Sequence, residues 1–440
     1  MMEASPEQQP ASVPQGAKQA GEVRSRWEWT EPSVWTDRML ETLERGVKGG
    51  KWYSLVDKVW DMGNLRAAFA AVERNDGAPG VDNKSVQAFG RDLDRQLERL
   101  QKELQEGRYR PRPARRVWID KPGSKKMRPL GIPTVRDRVV EAALKHVIEP
   151  IFEKGFSANS HGFRPGRSCK SALHEVDGLL GEGNHIVVEV DIQGFFDHID
   201  HDKLLSLVSD RISDGRILGL VGLMLKRGVL DEGVPEPTLK GTPQGGVVSP
   251  LLANIYLDGL DHRMEESGYR MVRYADDFVV LCEDHGEAGR CMEVLAEWAE
   301  GMHLTLHPEK TGMVDMSVPD EGFGFLGYWF QRSRRNGNLF RVPSEKSKRK
   351  LRARLRPYLK RTSGISLEAT VNQINPILRG WFNYFDESLP SSLNGVSAWV
   401  RMRLRSILRK RHKKKGRGRG NDHQRWPNAY FAELGLHTMP

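Results

Sequence analysis

Residues 273–282 read RYADDFVVLC, and this stretch limits the fold more tightly than any other in the chain. Met271 and Val272 stand just before it, and Val279, Val280 and Leu281 lie inside it. The pattern is strand, turn, strand, and it is apolar enough for both strands to be buried. Asp276 and Asp277 sit at the turn. Alone, two aspartates in a tight hairpin fit an ordinary polar turn. The apolar flanks weigh against that reading, because two like charges carried into a buried hairpin are costly without a cation. A third carboxylate, Asp191, stands near the end of the β-prone run Ile186–Ile192. Carboxylate oxygens suit hard cations such as Mg2+, which keeps waters and takes one or two protein carboxylates plus phosphate oxygens. Two such ions about 3.5–4 Å apart serve phosphoryl transfer by holding both the attacking and the leaving oxygen. Two neighbouring strands can supply the shared carboxylate.

The rest of the chain reads as alternating helices and short strands. Leu55, Val59, Leu65, Phe69 and Val72 have helical spacing, and "RNDGAPGVDN" breaks it. One amphipathic helix is expected over Val86–Leu104. Val117–Ile119 and Met127–Ile132 read as strands around the basic turn "DKPGSKK". Helices are expected over "RDRVVEAALKHVIEPIFE", from about Ser168, from about Lys203, over Leu251–Met264 and over "AGRCMEVLAEWAEGM". "LTLHPEKTGMVDM" reads as a strand and "FGFLGYWFQR" as a short hairpin. Three helices follow Pro343. These place a boundary near residue 340, with a softer one at "KKKGRGRGND".

Charge divides the chain in the same way. The net charge is +10, yet residues 341–420 hold 22 Lys+Arg against four acids, a local +18 that leaves −8 elsewhere. A block this basic suits a nucleic-acid-facing surface, and the competing reading is a solvated helix face with a basic tail. Cys169, Cys282 and Cys291 have no paired spacing, so neither a disulfide framework nor a zinc finger is expected, and a cytoplasmic location fits. No apolar run is long enough to span a membrane. Residues 1–50 are assigned to a flexible leader, on the Pro-, Gln- and Ser-rich start.

The ordered series "KPGSKKMRPLGIPTVRDRVV", "SHGFRPGRSCKSALHEV", "VVEVDIQGFFDHIDHDKL", "GTPQGGVVSPLLANIYLDGLD", "RYADDFVVL", "LTLHPEKT" and "FLGYWF" closely resembles the reverse transcriptases encoded by bacterial group II introns. The resemblance covers roughly residues 55–335, and seven blocks in order are far more specific than the Asp pair. "NDGAPGVDNKSVQAF" resembles the family's extra N-terminal block, "INPILRGWFNYF" its thumb or maturase region, and "RWPNAYFAELGLHTM" its ending. The resemblance implies an α+β right-hand polymerase. Fingers and an antiparallel-sheet palm would occupy 51–338, a helical thumb 339–411, and a short basic DNA-binding region 412–440. It implies two Mg2+ ions, with Mn2+ as a substitute, on Asp191, Asp276, Asp277 and the carbonyl of Ile192, with Asp276 bridging and Asp277 more peripheral.

It also implies roles for further residues, each with a plainer competitor. Lys121 and Arg128 would hold the triphosphate of the incoming nucleotide, with Lys125 and Lys126 as rivals. Phe196, five residues after Asp191, would be a ring under the sugar that excludes a 2′-hydroxyl; its competitor is a core aromatic beside Phe195. Gln244 would contact the sugar, and Lys310 would protonate the pyrophosphate leaving group. Phe325, Leu326, Gly327 and Tyr328 would grip the primer. Lys346, Arg349, Lys350, Arg354, Arg405, Arg409, Lys413 and Lys414 would face RNA. Trp381, Phe382, Tyr384 and Phe385 read as core before base-stacking groups. His198 and His201 read as neighbours of a helix cap at Asp200 or Asp202 rather than as ligands.

The activity implied is RNA-directed DNA synthesis, joined to maturase binding of a group II intron RNA for splicing and mobility. The expected partners are intron RNA, an RNA template with a DNA primer or target, and dNTPs; no membrane is involved, and a homodimer is left open. Many relatives end in a DNA endonuclease with paired Cys and His ligands, and none is expected here. Two other readings stand beside this one: a non-enzymatic RNA-binding splicing factor, and a domesticated reverse transcriptase in phage defence or spacer acquisition.

Overall fold

The computed structural model describes residues 22–120, 127–416 and 420–437. Lys121, Lys125, Lys126 and the polar first twenty residues lie outside the described residues. The apolar spacing before residue 75 is split between a single turn over Val56–Val59 and α1 (Met62–Asn75), whose first turn is capped by Asp61. The single helix expected over Val86–Leu104 is two, α2 (Val86–Gly90) and α3 (Leu93–Gln105). Gly90 is pressed against the Phe69 ring, where an added Cβ would lie 3.1 Å from it, and the chain re-enters helix after Asp92. β1 (Ala114–Asp120) and β2 (Met127–Ile132) then pair antiparallel.

The middle of the chain follows its patterning closely. Thr134 caps α4 (Val135–Glu153), and a Ser168–Ser171 capping box opens α5 (Cys169–Gly181). β3 (Ile186–Asp191) precedes α6 (His201–Ser209), whose cap is Asp200, accepting from the amides of Asp202 and Lys203. After a further helix over Gly215–Leu225 come β4 (Val229–Asp231), β5 (Val234–Glu236) and α7 (Ser249–Glu266). The RYADD hairpin is β6 (Arg270–Tyr274) and β7 (Asp277–Cys282), followed by α8 (His285–Gly301). "LTLHPEKTGMVDM" yields only a short strand, β8 (Gly312–Asp315). Pro308 lacks an amide for a ladder, and the amides of Lys310 and Thr311 fold back onto the His307 carbonyl.

β9 (Gly322–Phe325) and β10 (Tyr328–Arg332) form the expected aromatic hairpin, extended by β11 (Leu339–Pro343), so the boundary expected near 340 falls inside a strand. The basic stretch supplies α9 (Glu345–Leu355), α10 (Leu367–Tyr384) and α11 (Pro390–Arg411). The fold is α+β, with three sheets among the described residues, in the orders β2-β1-β4-β5, β11-β10-β9 and β6-β7-β3-β8.

The sheet β6-β7-β3-β8 is antiparallel throughout and divides two cores. Val188, Phe278, Val280 and Cys282 point into the first core, with α4, α7 and α8. Val187, Val272, Val279 and Leu281 point into the second, with α5, the aromatic hairpin and α9–α11. Successive strand residues face opposite sides, so burial on both faces requires the near-continuous apolar runs seen in the sequence. No helix among the described residues is long and apolar enough to cross a membrane.

Both ends of the described chain are more ordered than composition suggests. Residues 22–50 are not a free leader: Trp27, Val34, Trp35, Leu40 and Leu43 are buried in the first core. Trp35 Nε1 donates to the His146 carbonyl at 2.9 Å. Apolar residues spaced along a polar stretch escape a compositional average. At the other end, Trp426, Phe431 and Leu436 are buried in the second core. Trp35→Ala removes a fully buried indole and should destabilise the protein by about 3–5 kcal/mol. Urea unfolding followed by far-UV circular dichroism measures this, and an unchanged midpoint would mean that the segment contributes nothing to the fold.

Candidate metal centre

β3 and β7 run antiparallel in a register that ends with Asp191 opposite Asp277. Directly opposed residues share a face, so both carboxylates lie on the side of Val187 and Val279, where the second core gives way to a cleft. Asp276 enters from the turn. Tyr274 pairs with Asp277, leaving Ala275 and Asp276 as a two-residue hairpin loop. Ala275 takes φ +59°. The first loop position of this tight hairpin class is usually glycine, and an alanine there costs on the order of 1–3 kcal/mol.

The three aspartates line one cavity of about 1180 Å3. Burial raises the Asp276 carboxyl above the usual carboxylate range, and Asp191 adds to that rise. Its own amide, Arg128 and Arg273 oppose it. Asp277 is pushed up to about 7, first by desolvation and then by Asp276, Asp191 and Glu189, with Lys346 opposing. Its surface can be reached from the cleft, but protein encloses the carboxyl closely enough to strip much of its hydration. Lys310 Nζ donates to Asp191 Oδ2 at 2.8 Å. The amide of His307 bonds the Asp191 carbonyl, which ties the Lys310 turn to the end of β3.

Among the described residues, no three Asp, Glu, His or Cys side chains are gathered closely enough to form a ready ligand cage. The donor set nevertheless fits a hard divalent cation. It is all oxygen, it lines a single cavity, and a cation offsets both the desolvation and the carboxylate repulsion that raise Asp276 and Asp277. Asp191, Asp276 and Asp277 are the residues that would hold it.

The same cavity collects much of the expected site and leaves part of it out. Arg128, Ile192, Lys310, Leu326, Gly327, Tyr328, Lys346, Lys350 and Arg354 line it. Phe325 does not; it is buried in the second core. Leu326 and Gly327 form the β9–β10 turn, both at positive φ. That turn is pinned from two helices: Tyr384 Oη donates to the Leu326 carbonyl at 2.7 Å, and Ser347 Oγ to that of Gly327 at 2.9 Å. Trp381, Tyr384 and Phe385 line the cavity, Phe385 while also packing in the second core, whereas Phe382 is core alone. Phe196 and Gln244 line a separate cavity of about 430 Å3, with the Phe196 ring edge-on to Phe195.

Of the expected RNA-facing residues, Lys346, Arg349, Lys350, Arg354, Lys413 and Lys414 are exposed. Arg405 and Arg409 are corrections. Arg405 is buried, with its guanidinium donating to the Trp426 carbonyl and Asn428 Oδ1. Arg409 is paired with the buried Asp422. Both serve the docking of the C-terminal segment, and charge density alone could not separate them from their exposed neighbours. His198 and His201 bond the carbonyls of Gly194 and Gly241 and take no part in the cleft.

Sequence reasoning missed Glu189. It stands two residues before Asp191 on the same strand face and lines the cleft. Its carboxylate accepts from Gly324 N at 3.0 Å, linking β3 to β9. The i, i+2 spacing from Asp191 was its available signal.

Two family models and several curated proteins match this chain. A family model described as "Reverse transcriptase (RNA-dependent DNA polymerase)" matches residues 119–330, and "Group II intron, maturase-specific domain" matches 348–426. The "Group II intron-encoded protein LtrA" of Lactococcus lactis subsp. cremoris is 42% identical over 196 residues, covering 44% of this chain and 32% of that one. "Protein YkfC" of Escherichia coli (strain K12) is 31% identical over 368 residues, covering 73% of this chain and 91% of that one. An "Uncharacterized 91 kDa protein in cob intron" of Schizosaccharomyces pombe is 43% identical over 169 residues, covering 38% and 21%. The chain thus spans about a third of the length of LtrA.

The raised Asp277 carboxyl gives a signed pH dependence. The folded state holds this proton more tightly than the unfolded chain does. Its stabilising contribution is full below the ordinary Asp range and is lost as pH rises through about 7. Asp277→Asn should therefore melt higher than wild type at about pH 8 in EDTA, with the gap closing toward about pH 5. Thermal melts of both proteins check this, and a gap that is constant with pH would show that Asp277 ionises normally.

Proposed function

This chain belongs to the group II intron-encoded reverse transcriptase/maturase family, and from that premise we propose that it copies RNA into DNA and also binds a group II intron RNA to assist its splicing and mobility. The observation that carries the reading is the convergence of Asp191, Asp276 and Asp277 in one cleft with Arg128, Lys310 and the basic face of α9. On this reading the sheet β6-β7-β3-β8 is the palm, the β1–β2 sheet with the N-terminal helices forms the fingers, and α9–α11 form the thumb and maturase region. Residues 412–440 contribute a basic DNA-binding surface.

Two divalent cations, Mg2+ or Mn2+, when bound supply charge neutralisation at the attacking and leaving oxygens of nucleotidyl transfer. Asp191 and Asp276 would hold them, with the Ile192 carbonyl, and Asp277 would close the cluster from the periphery. Arg128, with Lys121, grips the triphosphate of the incoming dNTP. The primer 3′-hydroxyl gives its proton to water as its oxygen forms the new bond to the α-phosphorus, the bond from that phosphorus to the bridging oxygen of the leaving pyrophosphate breaks, and Lys310 Nζ delivers a proton to that leaving group. Lys310 now rests on Asp191, so it leaves that carboxylate as the site fills. Phe196 blocks a ribose 2′-hydroxyl by shape, and Gln244 contacts the sugar.

The Leu326–Gly327 turn supports the primer end. Lys346, Lys350 and Arg354 recur at four-residue spacing on α9 and follow the nucleic-acid backbone by charge. Lys413 and Lys414 extend that basic surface.

Asp276→Asn should lower primer extension on an RNA template by about 10³-fold or more, since its oxygens act on charge developed in the transition state. Intron RNA binding and splicing assistance should survive. A gel-based extension assay and a splicing assay on the same preparation decide it; equal loss of both in a folded variant would remove the separation of functions. Absence of any cDNA from the wild-type protein with Mg2+ and dNTPs would leave only RNA binding. Phe196→Ala should admit ribonucleotides, read as increased rNTP incorporation in the same assay.

A further inference from the structure

Arg273 is the first residue of the RYADD run, and it is fully buried. Its guanidinium grips Asp261 through two nitrogens, with Nε to Oδ1 at 2.7 Å. Its Nη1 donates to Asn254 Oδ1 and to the Ala275 carbonyl, each at 3.0 Å. Asp261 and Asn254 lie seven residues apart on α7, two turns along one face, and both are 1% exposed. Asn254 Nδ2 in turn donates to the Gly162 carbonyl at 2.8 Å.

The strand carrying Arg273 is locked by the same neighbourhood. The amide of His161 donates to the Arg273 carbonyl, and the amide of Arg273 to the Asn159 carbonyl. Gly162 packs so tightly on the turn that a Cβ there would lie 2.2 Å from Ala275 N. Two blocks, "LLANIYLDGLD" through the Arg273 guanidinium and "SHGFRPGRS" by direct packing of Gly162, therefore converge with "RYADD" on one residue, Ala275. That residue holds a left-handed φ without being glycine, and Asp276 follows it directly.

Stability alone is a poor reason for such a pair. A buried Arg–Asp pair is often matched or bettered by apolar residues of equal volume. What an apolar side chain cannot do is donate to a turn carbonyl in a fixed direction. A guanidinium can hold a carboxylate with one edge and reach the turn with another.

We propose that Arg273, braced by Asp261 and Asn254, is a positioning residue that sets the Ala275–Asp276 turn and so aims the Asp276 carboxylate into the cleft. The proposal rests on the reading of Asp276 as a cation-holding carboxylate. Arg273 acts through the turn and touches neither substrate nor cation.

The test compares full-length wild type with Arg273→Met and Arg273→Lys. Thermal melts and gel filtration establish folding, Mn2+ affinity is read from the electron paramagnetic resonance signal of free Mn2+, and primer extension is titrated with Mg2+. Arg273→Met should stay folded yet bind Mn2+ about 10-fold more weakly, the scale of losing a group that orients a metal ligand. Its Mg2+ midpoint for extension should rise in parallel, and saturating Mg2+ should recover most of the rate. Arg273→Lys, which keeps the charge but not the fork, should fall between the two. Unchanged Mn2+ affinity and Mg2+ midpoint in folded Arg273→Met overturn the proposal.

If Arg273→Met does not fold, Asn254→Ala is carried through the same readouts, and wild-type values there overturn the proposal equally. A wild type without primer extension would defeat the polymerase reading, while the Mn2+ comparison would still decide the brace.

Discussion

The antiparallel register of β3 against β7 is the constraint on which the rest depends. It sets Asp191 opposite Asp277, and by the pleat it puts Glu189 on the same face. A slip of one residue would turn Val188 and Val190 toward the cleft and send the carboxylates into the first core. The register is held because both faces of these strands are buried, so neither set of side chains can change sides without exposing apolar surface and burying charge. The carboxylates are thus held at the edge of the second core by hydrophobic packing, and burial together with the neighbouring carboxylates raises the proton affinity of Asp276 and Asp277.

The walls of the cleft are fixed to that sheet by polar contacts at its margins. Glu189 reaches β9, Lys310 reaches Asp191, and the Leu326–Gly327 turn hangs from Tyr384 and Ser347. Farther out, the nearly buried Arg341 of β11 pairs with Asp177 of α5 and with Glu387, which also meets His174. Lys170 pairs with Asp386 in the same cluster. Strand β11 and the loop after α10 are therefore attached to α5 by charge as well as by the shared second core. A carboxylate floor and a wall of lysines and arginines share one cavity, a division of charge that on the proposed reading suits metal ions and a nucleotide polymer.

Much of this was legible in the residues. The RYADD hairpin, the strand ending at Asp191, the FLGYWF hairpin and the Asp200 cap all stand where local pattern puts them, because each rests on periodicity or turn chemistry within about ten residues. The misreadings have two causes, contacts made across the fold and single residues that interrupt a local pattern. Arg405 and Arg409 look like their exposed neighbours in sequence, and only the C-terminal segment folding back onto α11 makes them struts. Residues 22–50 look like a leader until Trp35 meets α4. The helix broken at Gly90 and the strand shortened at Pro308 reflect single residues that a window of average hydrophobicity smooths over.

By itself the sequence determined the three aspartates, the order of the main strands and helices and the concentration of positive charge after residue 341, since these are properties of composition and short-range spacing. Tertiary structure alone decided which carboxylates share a cleft, that Glu189 joins them, that Lys310 rests on Asp191, and that Arg273 reaches the turn beside Asp276. Those pairings join residues as far as 119 positions apart, as in the Lys310–Asp191 contact. Their energies come from burial and from the direction of hydrogen bonds, and neither exists until the sheet and its two cores have closed.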